Sequence, residues 1–497
     1  MRRLTRYPAL LLLMLTLAGF AVMGYHPGLE DDGIYLTAVK ARLDPTLYPH
    51  NAEFFRLQMQ ATLFDDAMAG FVRATHVPVA WAELFWQFAC LFGILWACYG
   101  IARELFEEVR AQWAGVVMVA AMLTLPVTGT ALYLADQHLH PRNAATALIL
   151  LAVWRILAGR SWAAIPLMVA AFALHPLMAA MGASFCCFLQ VAMLPAARST
   201  RQTETWSGEA AALGPVGWLL GPATDDWRQA LAMHRYYRLS TWTWYEWLGV
   251  IGPLALFWIL WRVAARRGET ALAQFSVAVL AYGVFQQCVA TAMLAPPVWV
   301  RLASLQPMRY LHLVYFAMAL VGGCLAGKYL LKASVWRWAV YLAALNGGML
   351  AWQMAAYPGS AHLEMPWMEM PWMQPKNPWL KAFAWIRTNT PRDAYFALNP
   401  YYLRAPGEDY HSFTALAERS QLADAIKDSS VAVQIPALAP AWARQVEAEK
   451  GWERFGLVDF ERLKAEFGVD WVLVAPAQAP GLDCRWRNQA LAACLIP

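Results

Sequence analysis

The chain has 497 residues, of which 59% are hydrophobic and only 15% charged, with a mean hydropathy of +0.36. A soluble chain of this length would form about three domains, and so few polar residues cannot cover their surface; composition therefore points to a membrane protein. The net charge of +5 sits in short basic clusters between apolar runs and makes no continuous stripe, which excludes a nucleic-acid partner.

Arg2, Arg3 and Arg6 precede an apolar run at 8–25 that lacks a small-x-small cleavage site, the pattern of an uncleaved signal anchor. Further runs near the roughly 20 residues a spanning helix needs occur at 79–102, 111–133, 143–158, 247–261, 270–294, 310–327 and 335–355, and two more crowd into 162–195. If the runs alternate in direction, Arg103/Arg110, Arg155/Arg160, Arg262/Arg266/Arg267 and Lys328/Lys332/Arg337 share the side of the N-terminus, which the positive-inside rule makes cytoplasmic. The loops 26–78, 134–142 and 295–309, and everything after 356, then lie on the other side. The count closes at eleven spans if 210–223 adds a crossing or re-entrant element. It closes at nine if 162–195 crosses once, broken at His175-Pro176. Eleven is the favoured count.

In the first outer loop, Phe54, Leu57, Ala61, Phe64, Met68 and Phe71 recur at spacings of three and four, one face of an amphipathic helix on the membrane or on the bundle. Glu30-Asp31-Asp32 lies just after the first span. Three adjacent carboxylates can deprotonate a hydroxyl or hold a divalent cation; they can equally cap a solvated helix at 33–43. The second outer loop packs Asp136, His138, His140 and Arg142 into seven positions, offering a carboxylate, proton carriers or ligands, and a guanidinium matched to phosphate; the alternative is a polar connector with Arg142 reaching for headgroups. His175 is an ionisable residue in an apolar stretch, either a functional group or a histidine satisfied by a carbonyl that the break at Pro176 frees. Arg301, Arg309 and His312 stand at the mouth of the span 310–327, either as phosphate-binding cations or as interfacial anchors. The segment 225–247 adds His234, two arginines and five aromatic residues, suited to sugar stacking or to an aromatic belt.

The five residues from Glu364 to Met368 are repeated at once from Glu369 to Met373, and Pro375 and Pro378 follow, which predicts an interfacial Pro/Trp/Met linker. Three regions result: a transmembrane domain at 1–357, the linker at 358–378 and an extracytoplasmic α/β domain at 379–497. In the last, helices are expected at 379–389, 440–450 and 459–467 and strands at 394–398 and 469–475. Six cysteines lie within apolar stretches and read as buried hydrophobes, whereas Cys484 and Cys494 are placed to form a disulfide closing a C-terminal hairpin. Span interiors carry almost no ionisable residues apart from Glu83 and His175, which disfavours a translocase. No Walker loop, nucleophile elbow or zinc-helix motif is present.

Glu30-Asp31-Asp32 after the first span, Asp136 in the second outer loop and about ten spans before an extracytoplasmic domain together resemble the GT-C superfamily of integral-membrane glycosyltransferases. The run from Ala384 through Arg387, Pro391 and Asp393 to Ala394 also looks like the opening of the C-terminal domain in such bacterial proteins. The resemblance implies a polytopic helical bundle of a bacterial inner membrane with a periplasmic site, inverting transfer from a polyprenyl-phosphate sugar to an acceptor hydroxyl, Asp31 or Asp32 as base, and Arg142 or Arg309 neutralising the phosphate. The acceptor is a glycan, lipid or protein. No cofactor is certain, and a divalent cation, Mg or Mn, is one option. The acidic triplet, the histidines around a single Asp136 and the lack of a WWDYG signature depart from the pattern, leaving metal dependence and a protein acceptor open. The alternative reading is a non-catalytic membrane scaffold or sensor whose C-terminal domain binds an envelope partner.

Overall fold

The computed structural model describes residues 7–194, 222–356, 368–404 and 410–497. Within them, apolar helices gather into a bundle and a small mixed sheet follows at the C-terminus, the architecture of an integral membrane protein with an appended α/β region. Four helical runs are long and apolar enough to cross a membrane: Val79–Leu105, Trp244–Arg267, Thr270–Leu294 and Val298–Leu331. Pro8–Met23, Val109–Ala121, Ser161–Leu174 and Pro176–Ala192 are apolar but shorter.

The eleven expected spans are thus not all present as full-length helices, and the reason lies at one end of the bundle. The run 111–133 is helical only to Ala121; its remainder turns at 122–125 and forms a short antiparallel pair, Pro126–Val127 with Leu132–Tyr133. The run 162–195 is two helices rather than one broken span. Ser161 Oγ donates to Gln190 Oε1 at 2.6 Å, so the start of the first lies beside the end of the second and His175-Pro176 is the tip of a hairpin. Residues 210–221 of the proposed extra crossing, with Arg198 and Arg201, lie outside the described residues, as do Arg2, Arg3, Arg6 and 364–367 of the repeat.

The basic connectors do share one end. Lys328 Nζ reaches Glu269 at 2.8 Å and Glu108 at 3.7 Å, Arg267 donates to Tyr329 Oη at 2.7 Å, and Trp154 Nε1 donates to Glu104 at 3.4 Å. At the opposite end stand His140, His175 and the C-terminal sheet. The first outer loop does not make the single amphipathic helix expected of it. Glu53–Met59 and Phe64–Thr75 are separate helices, with Ala61 exposed in the turn between them. Phe54 packs with Trp442 and Val446 of the C-terminal region, whereas Phe64 and Met68 pack on Cys90 and Ala82. The side chain of Leu57 lies outside the described residues.

The C-terminal sheet runs in the order Ser420–Gln421, Tyr395–Leu398, Trp471–Val474, Ala492–Leu495, Asp483–Arg487, the first three strands parallel and the last two antiparallel. Tyr395–Leu398 and Trp471–Val474 are buried at every position, as strands covered on both faces must be. Cys484 and Cys494 face each other on neighbouring strands and are disulfide-bonded. The sheet region is not a separate body. Lys40 Nζ reaches Glu418 and the Ala415 carbonyl, both at 2.7 Å, and Tyr48 Oη donates to the Thr414 carbonyl at 3.0 Å. Gly33 faces Ser412 so closely that a Cβ there would lie 2.5 Å from the Ser412 Cβ.

Inside the bundle, Val109–Ala121 and Leu311–Leu325 touch backbone to backbone, because a Cβ on Gly323 would sit 2.7 Å from the Ala114 carbonyl oxygen and 2.8 Å from the Gly115 Cα. Lipid offers no hydrophobic drive between helices, so such small-residue contacts carry their association. Gly323→Leu should force these helices apart at a cost of about 1–3 kcal/mol or more; a lowered Tm in detergent, with Gly322→Leu as the roomier control, checks this.

Candidate functional site

The site is assembled where helices begin. His140 caps Pro141–Leu157: its Nδ1 accepts the Arg142 N–H at 2.9 Å, with Pro141 in the first turn where no N–H is needed. His175 repeats the device at Pro176–Ala192, its Nδ1 accepting the Met178 N–H at 3.4 Å. An imidazole that accepts at Nδ1 carries its proton on Nε2. The Nε2 of His140 therefore carries the proton and lies 3.4 Å from Asp31 Oδ2, an ion-pair distance without good hydrogen-bond geometry. The two rings lie 6.1 Å apart, and His138 lies 5.9 Å from His140.

Asp136 and Arg142 form a buried bidentate pair, Nη2 to Oδ1 at 2.6 Å and Nε to Oδ2 at 3.0 Å. Asn143 and Gln87 hold its backbone: Asn143 Oδ1 accepts the Asp136 N–H, and Gln87 Nε2 donates to the Asp136 carbonyl at 2.7 Å. Asp31 lies half-buried across His140, with Lys427 Nζ 3.1 Å from its Oδ1. Lys427 comes from the C-terminal region, 396 residues away in sequence. Arg309 stands within electrostatic range of Arg142, Asp31, Tyr236 and Tyr237.

The candidate residues thus separate into three groups. Asp31, Asp136, His138, His140, Arg142, His175 and Arg309 come together. Asp32 stands at the edge of that group, its Oδ2 accepting the Gly28 N–H at 2.6 Å with the buried Glu83 beside it and its charge reaching His138, and His312, bound to the Leu134 carbonyl at 3.0 Å, lies within electrostatic range of Arg142, Asp136 and Arg309. Glu30 is a left-handed turn residue (φ 49°) whose N–H bonds the Tyr410 carbonyl, and Arg301 belongs to Pro297–Leu305, packed on Thr270–Leu294 and on the Lys427–Gln434 helix. Lys427, Gln87 and Asn143 were not singled out by sequence. Only Asn143, adjacent to Arg142, carried any signal.

The charges tune one another. Burial alone would raise Asp31, but Lys427, His140 and Arg142 hold it well below the ordinary carboxylate range. Burial likewise opposes ionisation of Asp136, and Arg142 overrides it, keeping the acid ionised. His140 is pushed down to about 4 by burial and by Arg142, against the pull of Asp136 and Asp31, and burial also lowers His138. Among the described residues neither ring nitrogen of His138 has a hydrogen-bond partner, nor do Arg142 Nη1 and Arg309 Nε, all of them buried.

Mg or Mn does not fit this acid set. Asp31 and Asp136, the carboxylates that converge, are each already neutralised by a protein cation, whereas such ions need several free oxygen ligands. Beside Arg309, Tyr237 and Ala303 wall both a small cavity and a mainly apolar cleft of about 420 Å³ that is also lined by Leu231, Leu239, Trp247 and Leu294, with Arg238, Ser240 and Thr291 at its polar parts.

No protein-family model and no curated protein matches the sequence. Among solved structures, 95% of the chain is similar to 69% of the archaeal oligosaccharyltransferase AglB from Archaeoglobus fulgidus, described in complex with an inhibitory peptide and a dolichol-phosphate, at 12% identity and a TM-score of 0.39.

Two outcomes follow from the buried charges. Arg142→Ala leaves Asp136 buried and unpaired, so it should lose about 3–5 kcal/mol of stability, read as a lowered Tm in detergent. His140 binds its proton less tightly when folded than in the open chain. Its stability contribution is therefore complete above about pH 6.5 and is lost as pH falls toward about 4. His140→Asn, which keeps an acceptor at the cap, should flatten the fall in Tm across that window.

Proposed function

We propose that the chain is a membrane glycosyltransferase that moves a sugar from a lipid-phosphate carrier to an acceptor hydroxyl, with the site on the periplasmic side of a bacterial inner membrane. The observation that carries this reading is a buried cluster in which Arg142, Arg309 and Lys427 meet Asp31 and Asp136, with Arg142 Nη1 and Arg309 Nε lacking partners among the described residues. Buried guanidinium N–H groups left unpaired cost free energy, and an anion with several acceptor oxygens relieves it, as phosphate does. The apolar cleft adjoining the Arg309 cavity suits a prenyl tail. The sharing of one end by the basic connectors, opposite the cluster, supports the periplasmic placement.

In this scheme the acceptor oxygen attacks the anomeric carbon as the bond from that carbon to the carrier phosphate oxygen breaks. The bonding electrons leave with the phosphate, where Arg142 and Arg309 meet the developing charge. The hydroxyl proton passes to a carboxylate, and Asp31 is assigned that role because it is ionised, half-exposed and has His140 Nε2 within 3.4 Å to steady its charge. The flanking cations make Asp31 a weak base, so it accepts the proton late, once the acceptor oxygen already carries positive charge. His138, buried, kept neutral and without a partner, is placed to carry a proton onward.

The test is transfer from radiolabelled polyprenyl-phosphate sugars by the purified protein. Asp31→Asn should lower kcat by roughly 10²–10⁴ with the fold intact. Arg309→Ala should raise KM for the donor and leave Tm unchanged. Near-full turnover by Asp31→Asn would remove it as the base, and no transfer by the wild type across a panel of donors would remove the enzyme reading.

A further inference from the structure

His26, Glu369 and His411 come from three separate stretches: the exit of the first apolar helix, the second copy of the duplicated linker segment, and the C-terminal region. Backbone contacts set them face to face. The Glu369 N–H bonds the Tyr25 carbonyl at 2.8 Å, the His26 N–H bonds the Gln137 carbonyl at 2.9 Å, and Leu29 bridges His411. Their side chains converge. His26 Nδ1 lies 3.3 Å from Glu369 Oε1, His411 Nε2 lies 2.5 Å from Glu369 Oε2, and one donor atom from each residue falls within 4.8 Å of the others.

Both histidines are buried, at 1% and 0% exposure, and among the described residues neither nitrogen of His26 has a well-formed hydrogen bond. Burying two imidazoles is costly unless their polar atoms are satisfied. Glu369 is shared between them, held closely by His411 and facing His26 Nδ1 at 3.3 Å, so one carboxylate serves two rings. One bound cation would satisfy both rings. A tetrahedral zinc with ligands at about 2.0–2.1 Å sets its donor atoms about 3.3 Å apart, which is the spacing of His26 Nδ1 and Glu369 Oε1.

We infer that His26, Glu369 and His411 form a binding site for a divalent zinc-type ion, separate from the cluster around Asp31. Two imidazoles and one carboxylate select zinc over magnesium or calcium, which prefer oxygen throughout. The ion would clamp the linker onto the first outer loop and the C-terminal region. Glu369 also lines an open cleft of about 620 Å³ between the linker and Pro378–Asn389, through which an ion can enter. The outer nitrogens, His26 Nε2 and His411 Nδ1, have no hydrogen-bond acceptor. Ligands without that support are less basic, so binding is expected to be reversible by chelator.

The test uses the full chain in detergent, stripped with chelator, then loaded with Zn2+ and desalted. One equivalent of zinc by elemental analysis is expected, with a Tm that rises on loading and falls again with chelator. Co2+ in its place should give the ligand-field absorption of a four- or five-coordinate ion. His26→Ala, His411→Ala and Glu369→Gln should each lose the zinc. Should a variant fail to fold, the Co2+ spectrum of the wild type decides alone. Wild-type protein that retains no zinc and gives only the spectrum of hydrated Co2+, or folded variants that keep a full equivalent, would overturn the site.

Discussion

Everything at the site end depends on keeping several charges buried beside an apolar bundle. A lone ion there would cost several kcal/mol, so each carboxylate of the cluster is matched to a cation from another element: Asp136 to Arg142, and Asp31 to Lys427 with His140 beside it. The matching has a structural consequence, because Lys427 can reach Asp31 only when the C-terminal sheet region is docked on the first outer loop. That docking is built from Lys40, Tyr48 and the bare Cα of Gly33. Electrostatics and packing therefore enforce the same arrangement.

The match is incomplete on the cation side: among the described residues Arg142 Nη1 and Arg309 Nε are buried and unused. In a purely structural cluster such donors would be satisfied within the protein, as Arg419 is by Thr390, Arg387 and Glu418. In the proposed function these donors meet the carrier phosphate and the neighbouring cleft takes its lipid. Histidines held neutral by burial supply proton carriers without adding further charge.

Much of the framework was legible because it follows from short-range rules. The helix expected at 379–389 is Pro378–Asn389, and the strand expected at 469–475 is Trp471–Val474, since Gly468 ends the preceding helix in a left-handed conformation. The crowding of Asp136, His138, His140 and Arg142 was visible as a loop too polar for a connector. What could not be read is long-range. Lys427 sits in an ordinary amphipathic helix, Glu369 sits in a repeat that reads as linker, and their partners lie 396 and 42 residues away in sequence. Helix lengths failed for a related reason: apolar residues 122–133 look like span but fold into a turn and a short strand pair that frame the site. The two His-Pro pairs were a signal in plain view, a ring nitrogen as cap and a proline in the first turn, whose use for aiming Nε2 emerges only with the neighbours in place.

The central claim is that the unused guanidinium donors of Arg142 and Arg309 form a phosphate site beside a greasy slot. The most direct measurement compares the affinity of purified protein for a short prenyl phosphate and for the corresponding prenyl alcohol. The phosphate should bind far more tightly, and Arg309→Ala should abolish most of the difference. Equal affinity for the two ligands, or a preference unaffected by Arg309→Ala, would contradict it.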